Sequence, residues 1–369
     1  MAQHLIERHR IERGTDEWRA FAKFVAPPSE PDSTLDRVPR DVFFTRKLVD
    51  SFDIPLPFTL PDGKKKLRMW AISDPAKPTT FPAPLVRLRS GQTAHIETKT
   101  SKGPHTIHWH GIEGTPLNDG VGKHSFEIHS KYTFQFTARE PGFFFYHCHR
   151  NTPLHFEMGL YGALVVDPVE GPGFVRAYSP ATNHVVPYDV EIFWVAGAHD
   201  HRWRNWSHDH GLHIPDLAGE LDPNDPDAYP DVGGGLNDWK PTVFTLSGAV
   251  AKNGSTVITD TRAMGRARVG QTVLIRLLNS SYAIQEYRLG VDALVIAQDG
   301  RSFGTPPFGS YSEPFVVTAG TPFQLATAQR YDILVKPTAP GNIPFQIDYW
   351  DWLGATMRGR VKTQITVTA

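Results

Sequence analysis

From Lys66 onward the chain is a succession of strand-sized apolar runs, and this pattern constrains the fold more than any other feature. Runs such as "LRMWAIS", "TAHIETKT" and "YTFQFTA" alternate apolar and polar residues or are almost wholly apolar, as β-strands do. Turn residues separate the runs, for example Asn118-Asp119-Gly120 and Pro141-Gly142. The 31 Gly and 31 Pro residues suit many short strands joined by turns. The sequence therefore predicts an all-β protein.

The strand-like runs fall into two series. The first closes with "LYGALVVDP" near residue 170, and a Gly- and Pro-rich crossover leads to the second, which begins at "YDVEIFWVAG". We therefore predict two β-sandwich or barrel domains, at residues 61–170 and 184–369, after an N-terminal extension over residues 1–60. Within that extension, residues 15–24 read as a short amphipathic helix, so the extension is expected to be helical or irregular.

Composition excludes several classes of function. The net charge is −1 and the isoelectric point is about 7.0, so no overall field favours nucleic acid or an anionic membrane. A single cysteine excludes an intrachain disulfide, and no segment resembles a membrane span. The first residues carry charges throughout and lack the apolar core of a secretory signal. We expect a cytoplasmic protein, or a periplasmic or secreted one whose export signal is absent from this sequence.

Histidine and cysteine residues cluster in two of the strand-like runs. In "HTIHWHG", His108 and His110 are two residues apart and share a strand face, and His105 lies three residues upstream. In "YHCHR", the two histidines share one face and Cys148 points to the other. The pattern predicts two metal-binding groups on opposite sides of one strand, one using Cys148 and the other using His108, His110, His147 and His149.

The donor atoms of the cysteine-containing group favour a soft, redox-active metal. A thiolate with two imidazoles and a weak axial ligand is the trigonal arrangement that binds copper in blue-copper sites. His155 is the candidate for the second imidazole, and Leu160 or Met158 is the candidate axial neighbour. Two alternatives stay open: zinc also takes Cys and His ligands, and a single Cys is often a small buried hydrophobe.

The motifs "HTIHWHGI", "LNDG" and "YHCH", with the His and Leu that follow, resemble those of multicopper oxidases of the laccase type. The resemblance implies two consecutive cupredoxin-like Greek-key domains and a copper cofactor. It also implies type 1 copper ligands at His105, Cys148 and His155, with Leu160 in the axial position. By the same match the ligands of the other coppers are His108 for type 2 and His110, His147 and His149 for type 3. Asp119 resembles the acidic residue beside the oxygen-reducing cluster and is the candidate catalytic residue, although a turn-forming Asp is the alternative reading.

The resemblance implies a laccase-like reaction. A phenolic, amine or metal-ion donor would give up one electron at the type 1 copper. Cys148 and its flanking histidines would then pass the electron to a His-ligated copper centre that reduces O₂. The expected partners are a small electron donor, O₂ and further copies of the chain, because two-domain relatives form a homotrimer with the cluster between subunits.

The second domain departs from this pattern. Its "ARVGQTVLIRLLNSS" and "AQRYDILV" resemble a copper-free laccase domain, but "SYAIQEYRLG" and "IDYWDWLGATMRG" lack the histidines that two-domain relatives carry there. A nearby loop could compensate by reaching a neighbouring cluster or binding metal alone, or it could be an ordinary solvated loop. That loop contains His199, His201, His208, His210 and His213.

Two other functions remain open at this point. A nitrite-reductase-like enzyme needs a type 1 copper and a three-histidine type 2 copper, to which His110 and His147 could contribute. In that family a catalytic Asp occupies the place of His108, which counts against this reading. A non-enzymatic blue-copper electron-transfer or copper-binding protein would need only the Cys148 ligands, but would leave the four other histidines unexplained.

Overall fold

A computed structural model describes residues 39–100, 104–112, 114–121, 128, 130–208, 210, 236, 238–252, 254–306 and 312–369. Nearly all regular structure in these residues is β-strand, so the all-β prediction is confirmed. The helix predicted over residues 15–24 lies outside the described residues. No helix within the described ranges is long and apolar enough to cross a membrane.

The first domain is a sandwich of two sheets. Its strands are β1 (Val42–Pro55), β2 (Lys66–Ser73), β3 (Ala83–Arg89), β4 (Thr93–Thr100), β5 (His108–His110), β6 (Lys131–Thr137), β7 (Gly142–His147) and β8 (Tyr161–Asp167). One sheet has the order β2-β1-β4-β6 and the other has the order β3-β8-β7-β5. Side chains from the two inner faces meet in a core that contains Trp109, Phe134 and Tyr146. Two short helices interrupt the strands, α1 (Pro116–Asp119) and α2 (Thr152–Glu157).

Strand β1 belongs to this sandwich although it lies in the segment predicted as a helical or irregular extension. It pairs antiparallel with β2 and parallel with β4, in register from Val42 opposite Ala94. A parallel neighbour lies far away in sequence, so no local hairpin signal marks this pairing. The described part of residues 1–60 is therefore a strand of the first sheet.

The second domain is also a two-sheet sandwich, preceded by a short hairpin of β9 (Phe174–Arg176) and β10 (Val185–Pro187). One sheet contains β11 (Val190–His199), β12 (Val243–Leu246), β13 (Ala249–Val250), β15 (Val273–Asn279), β17 (Ala293–Gln298), β18 (Arg301–Ser302), β19 (Phe315–Val317) and β21 (Arg330–Val335). The other contains β14 (Gly265–Arg268), β16 (Ile284–Leu289), β20 (Phe323–Leu325), β22 (Gly341–Trp350) and β23 (Met357–Thr368). The described residues also include two 3₁₀ helices, Pro180–Thr182 and His201–Asn205.

The two domains share a buried interface. Phe143 and Phe145 of β7 belong to one apolar cluster with Val195, Val243 and Leu278 of the second domain. Burial of these side chains from water on both sides favours a fixed arrangement of the domains.

A chain of ion pairs crosses the same interface. Arg87 contacts both Asp167 of its own domain, at 2.7 Å, and Glu191 of the second domain, at 2.6 Å. Glu191 in turn accepts a bond from Arg276, which also pairs with Asp332. Together with the apolar cluster, these pairs fix the second domain against the face of β7 that carries Phe143, Phe145 and, by strand alternation, His147.

Candidate metal centres

Strands β5 and β7 bring two histidine motifs side by side. His108 lies directly opposite His147 in the antiparallel register, and His110 lies opposite Phe145. Directly paired residues point to the same face of a sheet. Trp109, between the two histidines of β5, points into the core and is 1% exposed. The alternation that predicted two groups on opposite sides of the strand is therefore present in the structure.

The first group, which we call the Cys148 group, comprises Cys148, His105 and His155. Its three candidate ligand atoms all lie within 4.8 Å of one another. The Cys148 Sγ is 3.6 Å from His105 Nδ1 and 3.2 Å from His155 Nδ1. Cys148 and His155 are fully buried and His105 is 3% exposed. Two imidazole nitrogens and one sulfur thus converge on a single enclosed point.

His155 comes from helix α2, which returns the chain toward Cys148 after strand β7. Its Nε2 lies 3.0 Å from the carbonyl oxygen of His208. Because a carbonyl oxygen can only accept, the His155 proton resides on Nε2, and the Nδ1 lone pair faces the Cys148 sulfur. Burial, followed by the neighbouring His105 and His208, holds the pKa of His155 well below its ordinary value. The neutral ring is the form that binds a metal ion.

The two candidate axial residues both lie in the core cluster around Cys148. Leu160 and Met158 are each fully buried there. The backbone N–H of Cys148 donates to the carbonyl oxygen of Leu160 at 2.9 Å, which fixes Leu160 beside the cysteine. The choice between them as axial neighbour stays a prediction.

The second group, which we call the His108 group, comprises His108, His110, His147 and His149. Candidate ligand atoms of the first three lie within 4.8 Å of one another. The His110 Nδ1 is 3.4 Å from the His147 Nε2. The ring of His149 lies beside them, with its centroid 5.4 Å from that of His108 and 5.7 Å from that of His147. The structure therefore brings all four predicted histidines together.

Burial and neighbouring charges lower the pKa values of His110, His147 and His149. Burial, followed by the charge of Arg330 from the second domain, lowers the pKa of His110 to about 3. Burial, followed by the neighbouring His108, lowers the pKa of His147 well below its ordinary value and lowers that of His149 as well. Unprotonated imidazoles at mildly acidic pH are ready to bind a metal ion.

Asp119 lies at the C-terminal end of α1 and contacts the His108 group from outside. Its carbonyl oxygen is 2.8 Å from His108 Nδ1, and its carboxylate oxygen is 3.3 Å from the same nitrogen. A carbonyl partner requires the proton of His108 on Nδ1 and leaves Nε2 as the ligand nitrogen. The contact that orients the ring is therefore made by the Asp119 backbone.

The histidines of the second-domain loop do not join the His108 group within the described residues. His199 is fully buried and lies 3.3 Å from the carbonyl oxygen of Glu157 and 3.2 Å from the Thr245 hydroxyl. His201 contacts the Thr242 hydroxyl at 2.9 Å, and the ring of His210 stacks on Trp206. These three have partners in the core or on the loop. His213 lies outside the described residues.

His208, from the same loop, instead contacts the Cys148 group. Its Nε2 is 3.1 Å from His105 Nε2, and its ring lies over Trp70. Within one chain the described part of this loop thus contacts the Cys148 group, and its reach to the cluster of a neighbouring subunit stays a prediction. The loop therefore lies on the side of β7 that carries the Cys148 group, opposite the His108 group.

A buried ion pair holds this loop against helix α2. Glu157 and Arg204 form a contact in which both side chains are almost fully buried. Glu157 also accepts bonds from the backbone N–H of Asp200 and the ring N–H of Trp239. Burial raises the pKa of Glu157 to about 7, while Arg204 opposes that rise. Glu157 is two residues from His155 in helix α2. The Glu157–Arg204 pair therefore holds both the loop and the candidate ligand His155 in place.

Comparison with known proteins assigns the first domain to a family. A family model for multicopper oxidases matches residues 60–171, which include every candidate ligand. This segment is a multicopper oxidase domain. The resemblance that the histidine motifs indicate is thereby confirmed for the multicopper oxidase domain, and its sandwich fold is the one expected for that family.

Curated relatives match the multicopper oxidase domain over a limited length. L-ascorbate oxidase of Cucurbita maxima is 38% identical over 98 residues, which cover 25% of this chain and 17% of that protein. Copper resistance protein A of Escherichia coli is 34% identical over 110 residues, covering 29% of this chain and 17% of the relative. The chain therefore spans less than a fifth of the length of these two relatives.

Solved structures extend the likeness to both domains. A blue copper oxidase from Nitrosomonas europaea has a TM-score of 0.59 at 20% identity and covers 88% of this chain and 86% of its own. A copper nitrite reductase from the same organism has a TM-score of 0.54 at 18% identity and covers 88% and 93%. At this level of identity the two structures establish the shared two-domain fold.

Sequence reasoning missed several residues that support the centres. Glu157 and Trp70 carry no motif, and Arg204 stands in a loop read only for its histidines. A charged residue at the end of a short apolar helix, as in "TPLHFE", was the one available signal for a buried ion pair. Its partner lies 47 residues away, so spacing could not have identified it.

Proposed function

We propose that the chain is a copper-dependent oxidoreductase of the laccase type, which oxidises a reducing donor by single electrons and delivers them to O₂. The observation that carries the proposal is the juxtaposition of two different ligand groups on one strand end. One is a buried set of two imidazoles and a thiol, and the other is a set of imidazoles only.

The donor atoms fit copper. A thiolate with two imidazoles in an apolar, enclosed site suits a soft metal that changes oxidation state, and a set of imidazoles suits copper as well. His105, Cys148 and His155 would hold the type 1 copper, with Leu160 as the axial neighbour. Copper bound in the two groups would supply one-electron exchange with the donor and with O₂.

The chain itself provides the connection between the two groups. Cys148 belongs to one group, and the adjacent His147 belongs to the other. The Nδ1 of His147 also lies 2.9 Å from the carbonyl oxygen of Cys148, so it donates to that oxygen and leaves Nε2 for a metal ion. A path of covalent bonds and one hydrogen bond thus runs between Cys148 and His147, and a second covalent path runs to His149.

The His108 group is suited to sharing a metal cluster with another subunit. His108 keeps 17% of its side-chain surface exposed, and His110 and His149 are half-buried, so the group is open on one side. We propose a homotrimer in which a neighbouring copy completes the cluster. Asp119, which contacts His108 there, is the proposed source of protons for O₂ reduction.

Metal analysis of the copper-reconstituted chain tests this function. We expect more than one copper per chain, a visible thiolate-to-copper absorption band, O₂ uptake with a phenolic donor, and a trimer in sedimentation. His110→Gln and His147→Gln should lose the non-blue copper and O₂ uptake while keeping the visible band. Binding of zinc in place of copper, or one copper with no O₂ uptake, would contradict the proposal.

A nitrite-reductase-like activity is the second candidate. It is supported by the three histidines whose ligand atoms converge, His108, His110 and His147, because three imidazoles suffice for one mononuclear site. Under this reading, reconstitution would give two coppers for each chain, and nitrite rather than O₂ would reoxidise the reduced protein.

A further inference from the structure

His208 comes from the second domain but is held by side chains of the first. Arg150 Nη1 lies 3.1 Å from His208 Nδ1, and Asn151 Nδ2 donates to the His208 carbonyl oxygen at 3.3 Å. Asn151 also donates to the carbonyl oxygen of His210 at 2.9 Å. Arg150 and Asn151 directly follow the "HCH" motif, so the segment that carries Cys148 also positions His208.

The ring and the backbone of His208 each contact a different candidate ligand. The ring nitrogen Nε2 lies 3.1 Å from His105 Nε2, and the carbonyl oxygen accepts from His155 Nε2 at 3.0 Å. Both contacts are made to the nitrogens that point away from the Cys148 sulfur. His208 therefore stands on the outer side of both imidazoles.

His208 is more exposed to solvent than the residues that it contacts. His105 is 3% exposed and His155 is fully buried, and Trp70, on which the His208 ring stacks, is buried as well. Arg150 and Asn151 are also buried, whereas His208 itself is half-buried. Among these described residues, His208 is the one that reaches from the ligand imidazoles to solvent.

We propose that His208 is a specificity-determining shield of the Cys148 group, which separates the electron donor from the ligand imidazoles and is the ring that the donor touches. This inference rests on the proposed function in taking the Cys148 group as the point of electron entry. Copper held by His105, Cys148 and His155 would be the acceptor of the single electron that the donor loses across the His208 ring, and no bond or proton would be transferred. Donors that release an electron on contact are favoured over donors that must hydrogen-bond a ligand imidazole directly.

Chemical footprinting of the metal-free protein tests the shield without any activity. Diethyl pyrocarbonate acylates neutral, accessible imidazole nitrogens, and mass spectrometry locates the products. We expect His105 to be protected in the wild type and in the control His201→Ala, and to become modified in His208→Ala. The alanine variant keeps the backbone carbonyl that binds His155, and it removes only the contacts of the ring, which are those with His105, Arg150 and Trp70.

The same variants are then compared after copper loading. We expect His208→Ala to keep the visible absorption band but to be reduced severalfold faster by a small inorganic one-electron donor, with His201→Ala unchanged. If circular dichroism shows His208→Ala to be unfolded, His208→Asn, with a shorter polar side chain, replaces it. Protection of His105 in the folded variant, or its modification in the wild type, would overturn the shield. A wild-type protein in which His105 is protected as expected but which binds no copper would refute the proposed function and leave the shielding of His105 intact.

Discussion

The Cys148 group and the His108 group begin from the same three residues, "HCH", and differ in how much of their surroundings this chain supplies. Around Cys148 the chain provides two buried imidazoles that are candidate ligands, an apolar core and the His208 loop from the second domain. Around His108 it provides the buried His147 and three half-buried imidazoles, with Arg330 as a charged second-domain neighbour. The pleat of one strand separates the groups, and the docking of the second domain encloses the Cys148 group more completely than the His108 group.

This difference shows how a two-domain protein can complete one centre and leave the other open. The second domain contributes packing, an ion pair and a half-buried ring to the cysteine side. On the other side its described residues contribute the cation Arg330, whose charge opposes protonation of His110. A metal ion in the Cys148 group should therefore be tightly enclosed, and one in the His108 group should depend on further ligands.

The largest effect is expected for Cys148→Ser, which removes the one soft ligand of the enclosed group. The visible absorption band should disappear completely and one copper per chain should be lost, because a hydroxyl is a poor copper ligand. Copper in the His108 group should remain, as measured by electron paramagnetic resonance. A visible band that survives this substitution would mean that Cys148 is not a ligand.

Breaking the buried Glu157–Arg204 ion pair should lower the free energy of unfolding strongly. Arg204→Met leaves Glu157 buried without its partner, and we expect a loss of about 3 kcal/mol in the free energy of unfolding. The matched control is Arg262→Met, in an exposed pair with Asp260, which should cost less than about 1 kcal/mol. Urea unfolding of both variants makes the measurement, and equal losses would show that burial of the pair has no special weight.

The low pKa of His110 should make the free energy of unfolding of the metal-free protein depend on pH. The folded chain keeps His110 neutral because its pKa is lowered from 6.5 to about 3. The unfolded chain takes up a proton at this residue below pH 6.5, so stability falls as the pH drops from 6.5 toward 3.

In His110→Gln this proton uptake is absent. The fall in unfolding free energy with decreasing pH should therefore be shallower by up to about 1.4 kcal/mol per pH unit. Urea unfolding at several pH values between these limits provides the test. Parallel curves for wild type and variant would show that His110 is protonated in the folded state.

The smallest effect on stability and copper content is expected for Asp119→Asn. The carbonyl oxygen that orients His108 remains, and only a partly exposed carboxylate contact at 3.3 Å changes. Unfolding free energy should change by less than about 1 kcal/mol, and copper content should not change. Loss of copper from this variant would mean that the carboxylate, rather than the backbone, positions the ring.

The sequence by itself determined the all-β class and the sorting of ligands into two groups. Both follow from the two-residue period of a strand, which sends Cys148 to one face and its neighbours to the other. It also placed His105 and His155 near Cys148 through the family motif, and Leu160 beside it. These relations are local or follow from the spacing within a recognisable motif, so the order of residues is enough to state them.

Only the tertiary structure decided the rest. Three contacts join residues about 40 to 50 positions apart, with no signal in the residues between. They are the pairing of β1 with β4, the contact of the buried His199 with Glu157, and the Glu157–Arg204 ion pair. The position of His208 depends on the docking of an entire domain, through the apolar cluster and ion pairs at the interface. The alternation of residues along a strand determines which atoms are available to bind a metal ion. Packing between distant segments determines which of those atoms are enclosed.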